Sequence, residues 1–155
     1  MIQKIKKVND ALYIRSEVSS EMVKCPILIV EDDKVDAMSI KRAFKDADIT
    51  CRLDIVSNGE EAMKYIKNKE KPNPGIVFLD LNMPKMNGIE FLKVANNDIA
   101  LHEIPIIVMS TSDFEQEKEE CFNLNAAGYM VKSIDYNEFV ELIKMINIFW
   151  AMNKK

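Results

Sequence analysis

The feature that most constrains this chain is an alternation, from Pro26 onward, between short apolar runs and longer segments with helical spacing. The runs occupy residues 27–30, 51–56, 76–79, 104–109 and 129–131. Apolar runs of this length separated by amphipathic stretches build a parallel sheet with helices on both faces, because only a helical crossover returns the chain to start a parallel neighbour. The first, third and fourth runs are apolar throughout, as expected of central strands covered on both sides. Residues 51–56 carry Arg52 and Asp54 inside the pattern, which places that strand at an edge. One helical stripe is formed by Ile40, Ala43, Phe44 and Ala47, and another by Ile89, Phe91, Leu92 and Ala95. Further helices are expected over 60–68, 114–124 and 136–152. The expected fold class is α/β: five strand–helix units in one doubly wound domain with a five-stranded parallel sheet.

A chain of 155 residues, 48% of them hydrophobic, has enough apolar mass for one core and gives no reason to expect two. Its net charge of −4, with Lys and Arg scattered, argues against binding a nucleic-acid backbone, which needs clustered cations. Cys25, Cys51 and Cys121 have no CxxC spacing and read as small core hydrophobes in a reducing cytoplasm. No apolar stretch approaches the roughly 18 residues of a membrane span, and no export signal is evident at the N-terminus. Residues 1–24 stand apart from the domain proper at 25–153. With Ile2, Ile5, Val8 and Leu12 at near-helical spacing, they read as a loosely ordered leader or a short amphipathic helix, and Met22 offers an alternative start.

In an open parallel sheet, ligands bind beyond the carboxyl ends of the strands, so the residues that follow each strand belong together. They are Glu31, Asp32 and Asp33 after the first, Asp80 and Asn82 at the third, Ser110 after the fourth and Lys132 after the fifth. Crowded carboxylates repel one another unless a cation joins them, and a hard divalent ion suits oxygen ligands. Mg²⁺ is the natural candidate, held by Glu31, Asp32, Asp80 and the backbone carbonyl of Asn82. With Lys132 opposite, such a site neutralises a phosphoryl group while an Asp80 oxygen attacks phosphorus in line. Ser110 then offers its hydroxyl to the bound phosphoryl oxygen. Asp33 reads as a helix N-cap, and Asn58-Gly59 as the turn before the second helix. His102, the one histidine, is given no role.

The segments Ile27-Leu-Ile-Val-Glu31-Asp32, Phe78-Leu-Asp80-Leu-Asn-Met-Pro84, Pro105-Ile-Ile-Val-Met-Ser110 and Gly128-Tyr-Met-Val-Lys132 together resemble the receiver domain of bacterial two-component response regulators. The resemblance spans about residues 25–150 and implies the flavodoxin-like (βα)5 receiver fold. It implies that Glu31 and Asp32 are the acidic pair that binds metal, Asp80 the phosphoacceptor, Ser110 the switch hydroxyl, Lys132 the phosphoryl-contacting lysine and Tyr129 the aromatic switch. It further implies a sensor histidine kinase as phosphodonor and a protein target downstream. The chain departs from the family at Glu31, where many relatives have Asp, and at Ser133, where most have a proline after a frequently cis bond. Lys132-Ser133 with the late Phe149-Trp150 looks like the small receivers that serve phytochrome-type kinases.

A haloacid-dehalogenase-type phosphatase also uses an Asp after a strand, but it needs an acid two residues later, where this chain has Asn82. A flavin carrier would place phosphate where Glu31-Asp32-Asp33 would repel it. Five residues after Trp150 leave no room for a DNA-binding domain. The last helix carries Val140, Ile148, Phe149, Trp150 and Met152 beyond one core stripe. That surplus is expected to form a homodimer or kinase-docking face.

Overall fold

The structure is a computed structural model that describes residues 5–16, 24–83, 85–132 and 135–152. Five parallel strands form its centre: β3 (Ile27–Val30), β4 (Leu53–Val56), β5 (Ile76–Asp80), β6 (Ile106–Ser110) and β7 (Gly128–Val131). Their helices are α1 (Lys34–Asp46), α2 (Gly59–Lys67), α3 (Gly88–Asn96), the short α4 (Ile99–His102), α5 (Glu115–Asn123) and α6 (Tyr136–Phe149). Two further strands precede them, β1 (Ile5–Asn9) and β2 (Leu12–Arg15), so the sheet has seven strands in the order β1-β2-β7-β6-β5-β3-β4. The expected parallel α/β architecture holds, and β4, with Arg52 and Asp54 at its start, is an edge strand as its mixed pattern indicated.

Period-two alternation splits the core into two layers. Ile27, Ile29, Ile76, Phe78, Ile107, Met109 and Met130 face α1 and α6, where Phe44 meets Phe78 edge-on at 5.0 Å. Leu28, Val30, Val77, Leu79, Val108 and Tyr129 face α2, α3 and α5. Local signals begin the helices. Asp33 caps α1 by accepting the Asp36 N–H at 2.9 Å, and Asn58 caps α2 by accepting that of Glu61 at 3.0 Å. Asn87 and Glu90 form a reciprocal capping box on α3. His102 ends α4 and is exposed.

Three expectations need correction. Residues 5–15 are neither a loose leader nor a helix. They form an antiparallel hairpin whose β2 pairs with β7, matching Leu12 with Met130, Tyr13 with Tyr129 and Ile14 with Gly128. Leu12 and Ile14 are buried while Tyr13 and Arg15 between and after them are not, and this alternation outweighs the helical spacing of the apolar residues before it. Ile2 and Met22 lie outside the described residues.

Second, Cys25 and Cys51 are not separate core thiols. They form a disulfide with a Cα–Cα distance of 5.3 Å, joining the chain entering β3 to the segment before β4. Cys121 alone fits the original reading, buried and unpaired. Third, the apolar surplus of α6 is spent inside the molecule: Trp150 and Met152 are 4% and 0% exposed and share a cluster with Leu12 and Ile14. Phe149 packs partly against the same cluster, leaving Ile148 exposed. The hairpin reaches this helix through Asn9, whose side-chain amide lies 3.3 Å from Met145 Sδ, and Lys6, 5.6 Å from the centre of the Phe149 ring, so most of the surplus expected to bind a second copy or a kinase is used within the chain. No described helix is long and apolar enough to cross a membrane.

Candidate phosphoryl-acceptor site

Alternation also sorts the residues at the carboxyl ends of the strands. Glu31 continues the parity of Ile27 and Ile29, Asp80 that of Ile76 and Phe78, and Lys132 that of Met130, so all three emerge on the α1/α6 side. Ser110 continues the parity of Val108, and Tyr129 is itself in the opposite layer, so these two emerge toward α5. The hydrogen bonds fall into the same two groups.

On the first side, Glu31, Asp32 and Asp80 bring one carboxylate oxygen each to within 4.8 Å of one another. Glu31 and Asp80 are 2% and 4% exposed, whereas Asp32 faces solvent. Lys132 reaches across the sheet with Nζ 2.9 Å from Glu31 Oε1 and 3.4 Å from Asp80 Oδ1. The Asn82 backbone N–H also approaches Asp80 Oδ1, at 3.3 Å. Burial first, and the Asp80 carboxyl next to it, push the Glu31 carboxyl up to about 8 despite the pull of Lys132. For Lys132, burial pulls the ammonium down, but Glu31 and Asp80 more than offset it and the net shift is upward. A site that packs two buried carboxylates against one lysine is short of positive charge, and three hard oxygen donors suit a divalent cation. The donor set therefore fits a metal ion.

On the second side, the fully buried Ser110 donates its hydroxyl to Glu117 Oε2 at 2.7 Å and accepts the Ser112 N–H at 3.1 Å. Tyr129 directs its phenol to the Ser112 carbonyl at 2.7 Å and to the same Glu117 oxygen. Burial first, then Glu117, push that phenol up, so it remains a donor through the physiological range. Lys132 is tied to this group through its backbone, whose N–H donates to the Ser110 carbonyl at 2.7 Å.

The structure thus brings Glu31, Asp32, Asp80 and Lys132 together, and brings Ser110 and Tyr129 together beside them. The Lys132–Ser133 bond and Pro84 fall outside the described residues. Two residues went unnoticed in the sequence. Glu117 lies on a strongly charged helix, where nothing singles out one acid among four. Gly88 lets α3 approach the end of β5: a Cβ there would stand 2.6 Å from Leu81 Cα and 2.8 Å from the Asp80 carbonyl. The capping box Asn87-Gly-Ile-Glu90 around it was a usable signal.

Residues 27–144 match the response regulator receiver domain. The response regulator Rcp1 of Synechocystis is 30% identical over 128 residues, covering 80% of this chain and 87% of that protein. A probable methanogenesis regulatory protein, FilR2 of Methanothrix harundinacea, is 29% identical over 127 residues, with 80% and 82% covered. Among solved structures, the phosphorylated cyanobacterial phytochrome response regulator RcpA superposes with a TM-score of 0.74 at 29% identity, over 88% of this chain and 97% of that one. A response regulator in red light signaling of R. palustris, RPA3017, gives 0.75 at 29% identity over 83% and 95%. The Mn²⁺-bound form of Rcp1 gives 0.73 at 29% identity over 83% and 96%. None of these relatives is a haloacid-dehalogenase-type phosphatase, and the fold, the acidic cluster and the matched segment agree: the chain belongs to the response regulator receiver domain family.

Proposed function

We propose that Asp80 accepts a phosphoryl group from a sensor histidine kinase in a Mg²⁺-dependent reaction, and that the protein signals by contact with a downstream protein. The observation that carries this reading is the convergence of Glu31, Asp32, Asp80 and Lys132 at the carboxyl ends of three strands. Glu31, Asp32, Asp80 and the Asn82 carbonyl would hold the ion, which when bound spreads the charge of the phosphoryl oxygens. Asp80 Oδ1 carries the Lys132 and Asn82 contacts, and Oδ2, which carries neither, is the attacking oxygen. As the new O–P bond forms, the bond from phosphorus to the kinase histidine breaks and leaves its electron pair on the imidazole. Lys132 is placed to follow the transferred group, exchanging carboxylate partners for a phosphoryl oxygen. Ser110 offers a second donor, and Tyr129 responds through the hydrogen bonds it shares with Ser112 and Glu117.

The protein in this reading is a cytoplasmic phosphoacceptor reset by its own dephosphorylation, not an enzyme acting on a separate substrate. Similarity to RcpA and to the red-light regulator of R. palustris makes a phytochrome-type kinase the favoured donor. Incubation with a small acyl phosphate and Mg²⁺, followed by intact mass, should show one added phosphoryl group. Asp80→Asn, nearly isosteric but without the nucleophilic carboxylate, should abolish the gain while leaving the fold intact. Aspartyl phosphorylation retained in that variant would sink the assignment.

A further inference from the structure

We propose that Glu117 is a positioning residue that holds the unphosphorylated state by competing with the phosphoryl group for the Ser110 hydroxyl proton. The proposal rests on Asp80 being the phosphoacceptor. A serine hydroxyl has a single proton to donate. In this structure that proton goes to Glu117 Oε2 at 2.7 Å, and Ser110 is 0% exposed, so water cannot take over either role. Ser110 therefore cannot donate to a phosphoryl oxygen on Asp80 until it releases Glu117. Parity gives the same result from the backbone: Ser110 belongs to the α5 face and Asp80 to the α1/α6 face, so engagement requires the hydroxyl to turn away from α5.

The same carboxylate oxygen also takes the Tyr129 phenol, which has one proton for two acceptors, Glu117 and the Ser112 carbonyl. Loss of Ser110 leaves Tyr129 as the remaining hydroxyl on that oxygen among the hydrogen bonds of the described residues. Glu117 sits in the first turn of α5, and Ser110 ends β6, so their bond ties the helix start to the strand end. Transfer of Ser110 to the phosphoryl group removes that tie. The loop of residues 111–114 and the first turn of α5 are then free to move, with exposed Phe114 at the junction. Signal leaves the site through α5 because one hydrogen bond cannot serve two acceptors.

The test follows the rate of phosphorylation by a small acyl phosphate with Mg²⁺ in six proteins: the wild type, Glu117→Ala, Glu117→Gln, Ser110→Ala, and Ser110→Ala combined with each Glu117 change. Freeing Ser110 from a charge-assisted hydrogen bond should speed Glu117→Ala by about tenfold. Glu117→Gln keeps the shape with a weaker neutral acceptor and should lie between the two, which covers the case in which the alanine variant does not fold. In the Ser110→Ala background neither substitution should matter. A wild type that gains a phosphoryl group while both Glu117 variants match its rate overturns the latch alone. So does an acceleration that persists without Ser110, since Glu117 would then be acting by another route. A wild type that takes up nothing overturns the reading of Asp80 and the latch with it.

Discussion

Lys132 makes two contacts at once, and its replacement separates structure from signalling at the scale of one residue. Removing it leaves Glu31 and Asp80 buried beside each other without their shared cation. Because the lysine side chain is 21% exposed, the loss is discounted for solvent, and Lys132→Ala should cost about 2 kcal/mol in metal-free urea denaturation. Added Mg²⁺ should recover part of that. Phosphorylation should persist, since in the proposed reaction Asp80 supplies the nucleophile. The slowing of amide exchange expected across the end of β7 on phosphorylation should be lost, because the charge proposed to link the phosphoryl group to that strand is gone. Unchanged stability with an intact exchange response would refute this role for the lysine. Gly88 is needed for a different reason, the close approach of α3 to the strand end that presents Asp80.

The hairpin β1–β2 belongs to the folded domain at the scale of elements. Its β2 supplies a ladder along β7, extended by the Val131 N–H donating to the Ala11 carbonyl at 2.8 Å. Arg15 donates to the Phe122 carbonyl at 2.9 Å and to Asn125 at 2.5 Å, and buried Lys118 lies 3.9 Å from the centre of the Tyr13 ring. Leu12→Ala should therefore destabilise the protein by about 2–5 kcal/mol, as truncations of fully buried leucines do. Deleting residues 1–16 should lower the melting temperature by roughly ten degrees or more, because buried Leu12 and Ile14 and the ladder along β7 are lost together. A deletion that melts with the full chain would show that the hairpin contributes nothing to stability. The family match begins at residue 27, so this element is an addition to the matched segment and closes the β7 edge that would otherwise be open to pairing.

Across the whole molecule, the two ends of the parallel strands do different work. The carboxyl ends carry the acidic cluster and its lysine, while the Cys25–Cys51 bridge lies at the amino ends of β3 and β4. A bridge between cysteines 26 residues apart restricts the unfolded chain and should add about 3–4 kcal/mol of stability in the chain-entropy account. Reductant should lower the melting temperature by several degrees and leave the phosphorylation rate unchanged, since the bridge and Asp80 lie at opposite ends of the sheet. An equal melting temperature with and without reductant, after alkylation shows the bridge intact at the start, would contradict the stabilising role. A changed phosphorylation rate would contradict the separation.

The sequence by itself determined the parallel core and the identity of the cluster. Fully buried strands such as Ile-Leu-Ile-Val and Ile-Val-Phe-Leu cannot be mistaken for one-sided ones, and in a parallel sheet the residues that follow them meet at one crevice. That Asp80 and Ser110 lie on opposite faces needed the register of β5 with β6, which pairs Asp80 with Met109. The cap at Asp33 was equally legible, since an N-cap depends only on residues within one turn, whereas Asn58, read as a turn residue, also caps α2. What the sequence left open was decided by contacts distant along the chain. Residues 5–15 form strands because β7, more than a hundred residues away, offers an unpaired edge, and four or five residues alone cannot bury enough to fix their own structure. Trp150 is buried in the same core cluster as Leu12 and Ile14 of that hairpin, and Cys25 finds Cys51 only because β3 and β4 are neighbours. Glu117 acquires its partners in the same way: α5 is aligned over the ends of β6 and β7, so one acid of its charged face meets two buried hydroxyls.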